Sequence, residues 1–357
     1  MGGKKTVLAL LAAGAALTLV GCSGGSPGPT DSADGARRSM VVYGSSGAIE
    51  DAMTKDLLPK FEQENNVDVT YVGMAASQAL LKSEAMKSSP EASLVIANEL
   101  VADVGAQEDL WKKLDLSNMP TLASLPDAVI ADGSAAATGY WTVGIAYNKD
   151  TYAQNNITPP KDWNDLWNPA VAGQVVQYDI SWGYTAPFLY AYNQALGGSM
   201  SNFQPVMDKM AANKSSFQSI ATAAADFDQA FSSGVGWVGV QASMRGGIAA
   251  ASGVPVAMAY PSSGVPRMIT PGMVPANAPQ ADLGEKLLDY LLTPEAQAIY
   301  AGTQYYNPVN PATVVSSDVQ QYLPDLSSLK LIDIDWIALN DAVTSTLTDQ
   351  WQQTVVG

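Results

Sequence analysis

The chain has 357 residues, more than one hydrophobic core usually organises, so two lobes are expected. Its formal charge of −16 repels a phosphate backbone and so disfavours nucleic acid as a partner. With no histidine and a single cysteine, it lacks the residues for an intramolecular disulfide, a cysteine-rich metal cluster and the usual histidine-based hydrolase and zinc sites.

Lys4 and Lys5 precede an apolar run from Val7 to Val20. That run is short of the roughly 18 to 20 residues a spanning helix needs, and residues 1–21 read as a removable secretion signal. The run ends in Leu19-Val20-Gly21-Cys22, which resembles the lipobox of bacterial lipoproteins. The resemblance implies that Cys22 is lipidated, so that the protein is lipid-anchored to the outer face of the cell membrane or is periplasmic, tethered and not spanning. Residues 22–39, rich in Gly, Ser and Pro, read as a flexible leash.

From Met40 a short strand runs into Gly44-Ser45-Ser46-Gly47, then apolar residues recur at helical spacing, and Val67–Val72 alternates as a second strand. A helix around Leu80–Met86, a strand Ser93–Ala97 and a helix Val101–Trp111 repeat the pattern. This alternation predicts an α/β sheet, mostly parallel, with ligands at the carboxyl ends of its strands. Ser45 and Ser46 therefore read either as donors to a polar or anionic oxygen or as a plain turn. Glu99 follows the next strand, and reads as a ligand contact or as a solvated charge.

Four stretches carry a family likeness: Thr142–Asn148; Pro160–Pro169 with Gly173; Leu291–Gln297; and Tyr306–Asn310. In order and spacing they resemble the type II periplasmic solute-binding proteins of ABC transporters, in the branch that handles polyamines, ferric iron, thiamine and organophosphonates. The resemblance implies a two-lobe fold hinged on two crossing strands, near Thr142–Tyr147 and Val256–Pro261. Lobe one is expected at 40–146 and 261–357, with the C-terminal helices packed back on it, and lobe two at 147–260. Trp163, Leu166 and Trp167 lie at helical spacing and read as core, and Thr293 as a cap before Pro294.

Candidate ligand contacts in lobe two are Asp179, Trp182 and Tyr184, where aromatic rings beside Gly183 favour stacking, and Trp237, in a Trp-x-Gly segment like that of polyamine-binding members. A ring near a carboxylate suits an ammonium group. Tyr43, Trp141 and Tyr306 are further candidates. The acidic segments that polyamine-binding members carry after the second crossing are replaced here by Pro261-Ser262-Ser263-Gly264 and Pro266-Arg267-Met268. Arg267 then points toward an anionic group on a zwitterion such as an aminophosphonate or amino-acid derivative, or is a surface residue.

The function expected is capture of a small polar solute, amine-bearing or zwitterionic, by a monomer that presents it to a membrane permease with ATPase subunits. No cofactor or metal is expected, although Tyr305-Tyr306 invites comparison with ferric-iron receptors. A surface lipoprotein or adhesin is the alternative of another class. Ser327-Ser328-Leu329-Lys330 matches Ser-x-x-Lys, but no Lys-Thr-Gly or Ser-Asp-Asn partner exists, so the chain is not read as an enzyme.

Overall fold

The computed structural model describes Arg37–Gly357. The signal segment, Cys22 and residues 22–36 of the leash lie outside the described residues. Eleven strands form the sheet framework: β1 (Arg38–Gly44), β2 (Val67–Gly73), β3 (Leu94–Ile96), β4 (Val129–Ile130), β5 (Ala135–Asn148), β6 (Val175–Tyr178), β7 (Phe217–Ala221), β8 (Val238–Ala242), β9 (Val256–Ala259), β10 (Val265–Met273) and β11 (Leu331–Ile332). Their order is β2-β1-β3-β10-β5-β8-β6-β7. The leash was expected to reach Ser39, but β1 starts at Arg38, because Arg38 and Ser39 pair with Val67 and Asp68.

Parallel pairs β1–β2 and β1–β3 build one end of this order, and parallel pairs β6–β7 and β6–β8 the other. Between them run two antiparallel strands. β5 pairs with β10 from Ala135 to Thr142, then with β8 from Val143 to Tyr147. The result is a mixed α/β fold of two lobes joined by crossing strands. The second crossing is β10 and not the expected Val256–Pro261 stretch, since β9 pairs only with Ile145–Asn148 at the second-lobe end of β5.

Two apolar clusters mark the lobes. One gathers Val42, Leu57, Phe61, Leu94, Leu287 and Tyr300, the other Trp163, Val176, Phe188, Tyr192, Val240 and Trp351. Trp163 is fully buried and its indole N–H donates to the Gly264 carbonyl at 2.9 Å, while Thr293 caps the helix Pro294–Gln304.

The C-terminal helices depart from expectation. Leu339, Leu347, Trp351 and Val355 sit in the second cluster, not the first. Their apolar stripe finds the helices Thr185–Ala195 and Gln204–Ala212, and the helix Trp336–Ala342 also touches the first-lobe helix Glu99–Gln107. Burying a Trp side chain completely is worth several kcal/mol relative to truncation, which fixes the segment on the second lobe.

Candidate solute cavity

A cavity of about 200 Å³ lies where strand ends from both lobes meet. Ser45 follows β1, Ala76 the β2 turn, Ala97 and Asn98 follow β3, and Met244 follows β8. Trp141, Ile269 and Thr270 come from the crossing strands, and Tyr300 and Tyr306 close the wall. The helices that begin at Ala48 and Ser243 have no side-chain hydrogen bond at their caps, so their first N–H groups and positive dipole ends stand near this space. None of the lining side chains is ionisable apart from the two tyrosines, and burial pushes the Tyr306 phenol up.

Of the residues singled out in the sequence, Ser45, Trp141 and Tyr306 come together here. The Trp141 indole N–H is buried and makes no hydrogen bond among the described residues. Tyr306 is 4% exposed and packs under Gly139, where an added Cβ would meet its ring at 3.0 Å. Ser46 lies at the same turn with its hydroxyl against Gly73.

The second-lobe loop stands one ring away. Tyr184 meets Trp141 edge-on, with centroids 6.5 Å apart, but its hydroxyl donates to Gln241 at 2.6 Å. Trp182 stacks on Tyr178 at 5.0 Å. Asp179 accepts from the Ser181 amide and hydroxyl and from the Trp351 indole. Burial pulls its carboxyl up, yet these bonds win and hold it below the usual carboxylate range. It is occupied by its own loop and not aimed at a solute.

Four further expectations fail on geometry. Tyr43 turns the other way, donating to Glu91 at 2.7 Å with Lys82 over its ring; side chains alternate along a strand, and β1 sends Val42 to the core beside the cavity and Tyr43 to the far face. Trp237 precedes β8, beside Asn148, at the end of the strand away from Met244. Arg267 is paired with Asp333 at 2.6 Å and does not line the cavity. Glu99 is neither solvated nor in the lining: it is 4% exposed and one carboxylate oxygen accepts the Ile269 amide.

Tyr305 and Tyr306 diverge, because Tyr305 adopts a left-handed φ of 55° and stacks edge-on with Tyr322. Among the described residues no cluster of three or more His, Cys, Asp or Glu could hold a metal ion. Met244, Ile269, Thr270 and Tyr300 were missed, whereas the strand end at Asn98-Glu99 was marked and it is Asn98 that lines the cavity. Asn98 and Met244 carried the same strand-end signal as Ser45, whereas Tyr300 reads simply as an apolar helix position. A second cavity, about 210 Å³, lies between the helices Ala224–Ser232 and Ser243–Ala251, walled by Phe227, Phe231, Ile248 and Val254 with an Asp228–Arg245 ion pair at 3.1 Å.

Two lobes on crossing strands, with helix starts facing a small cavity between them, define the class of hinged binding proteins. The chain matches the family model of the bacterial extracellular solute-binding proteins over residues 56–324, and it belongs to that family. It is similar to the spermidine/putrescine-binding periplasmic protein of Escherichia coli (strain K12), 22% identical over 84% of this chain and 88% of that one. An ABC transporter structure from Clostridium perfringens ATCC 13124 superposes with a TM-score of 0.74 at 21% identity, covering 88% of this chain and 99% of that one. The Atu4243–GABA receptor does so with a TM-score of 0.73 at 20% identity, covering 88% and 96%. The protein is thus an extracellular solute-binding protein of an ABC transporter, a non-enzymatic class that binds small ligands and works with permease and ATPase subunits.

Proposed function

We propose that the cavity takes a compact organic zwitterion, an amine-bearing molecule with an anionic group. The observation that carries this reading is the lining itself: a buried indole N–H without an acceptor, helix starts without side-chain caps, and no carboxylate. A buried donor left unpaired costs about 1 to 3 kcal/mol, so a solute oxygen at Trp141 relieves a standing penalty. The ammonium group meets the faces of Trp141 and Tyr306, an attraction of order 0.5 to 2 kcal/mol. A polycation finds no counter-charge in this lining, although a polyamine-binding relative is among the similar proteins; a GABA receptor, which by its name binds a zwitterion, is another.

The monomer is tethered through Cys22, with the lobes divided along β5 and β10: lobe one holds the chain from 40 to about 142 and from about 269 to the start of the C-terminal helices, and lobe two the stretch between. Tryptophan fluorescence and thermal shift against 4-aminobutyrate, 2-aminoethylphosphonate, putrescine, spermidine and ferric citrate test the reading. A saturable 1:1 response to a zwitterion is expected, since a solute at a hundred times its Kd raises stability by about 2.7 kcal/mol. A response to spermidine or iron alone overturns it.

A further inference from the structure

Glu99 opens the helix Glu99–Gln107, which Asn98 caps by accepting from the Val101 amide at 3.1 Å. A carboxylate at a helix start normally faces water, where the dipole favours it. This one is turned inward against the crossing strand. One oxygen accepts the Ile269 amide, and the other is buried with no hydrogen bond among the described residues. Ile269 and the next residue, Thr270, are cavity wall.

We propose that Glu99 is a positioning residue of the cavity, fastening the wall Ile269–Thr270 to the first lobe only while its carboxyl carries a proton. A carboxylate held in that place is answered only by backbone N–H groups, its own and that of Ile269, and one oxygen stays without a hydrogen bond; burying an ion so poorly paired costs several kcal/mol, and burial outweighs what those bonds return. Ionisation therefore drives the side chain toward water and loosens the seam between helix and strand.

The charges around it are few and opposed. Arg267, on the same strand, lowers the proton affinity, and Asp103, one turn along the helix, raises it. Asp103 itself is held up by burial, then by Asp335 before the C-terminal helix and by Asp132. Tyr306 faces Glu99 as a neutral phenol, and the neighbouring helix Ala76–Ala85 turns Lys82 away to Glu91 and Tyr43. Burial dominates the balance and pushes the Glu99 carboxyl up to about 8.

The inference rests on the proposed cavity only for the identity of the wall, and its deciding measurement needs no solute. Amide-exchange protection over residues 267–270 is followed from pH 6 to 10 in the intact protein, corrected for the intrinsic rate. Wild type is expected to lose protection in a one-proton step near pH 8, and Glu99→Gln, which keeps an acceptor for the Ile269 amide, to show no step. Arg267→Gln, which removes the cation that lowers the Glu99 proton affinity, is expected to move the step to higher pH. Protection constant across the range in wild type, or the same step in Glu99→Gln, overturns the proposal. With 4-aminobutyrate as probe, wild-type affinity falls by up to tenfold per pH unit above the step. Failure of every solute in the panel sinks the cavity reading and leaves the exchange step to decide this one.

Discussion

A glutamate whose carboxyl is raised in the fold makes stability depend on pH in a direction opposite to the usual salt-bridged acid. Glu99 keeps its proton up to about pH 8 when folded, whereas in the unfolded chain it ionises at about 4.3. Between those values the folded state binds the extra proton, so this group's contribution falls as pH rises, by up to about 1.4 kcal/mol per unit. Urea unfolding at pH 5, 6, 7 and 8 is expected to show Glu99→Gln gaining on wild type at each step; parallel curves count against a protonated Glu99. The sequence placed Glu99 at a strand end, but its burial depends on Ile269, 170 residues away, and a pairing that remote leaves no local mark. Ser45 and Trp141 were legible because their signals are local: a glycine turn after a strand, and a ring on a crossing strand. Trp237 was misplaced for the converse reason, since a Trp-x-Gly segment does not say which end of its strand meets the cavity.

β5 carries the connection between lobes, and one of its residues ties three elements together. The Thr142 hydroxyl donates to the Pro266 carbonyl at 2.7 Å, and the Thr142 amide donates to the Ser243 hydroxyl at 3.2 Å. One side chain thus links β5 to β10, while its backbone links β5 to the helix that bears Met244. Thr142→Val keeps the shape and β preference and leaves the Pro266 carbonyl without that partner. A loss of about 1 to 3 kcal/mol in urea unfolding is expected, with weaker solute binding because Met244 and Ile269 lose their common reference. An unchanged midpoint would mean that water replaces the hydroxyl. The alternation of strands and helices was readable from Gly44–Gly47 and from Val67–Val72. The second crossing was not, because β9 and β10 follow each other closely in the chain and only their partners on β5 tell them apart.

At the scale of the molecule, closure must reckon with the C-terminal helices, which touch both lobes. Trp351 and Leu347 are fully buried in the second cluster, and the Trp351 indole holds Asp179 in the loop beside Trp182. That end moves with the second lobe, since pulling out a buried Trp costs about 3 to 5 kcal/mol. The other end, Trp336–Ala342, rests on the Glu99–Gln107 helix through partly exposed side chains, and across that contact Asp335 and Asp103 repel. Contacts of this kind part at less cost than the buried Trp351, so the segment is expected to stay with the second lobe, and to change its contact with the first, whenever the lobes move. Solute is therefore expected to slow amide exchange in residues 336–342 and 99–107 together, while residues 347–355 stay equally protected with and without it. Exchange-coupled mass spectrometry reads all three stretches in one experiment. Protection gained uniformly along 336–355 would show instead that the helix forms only on binding.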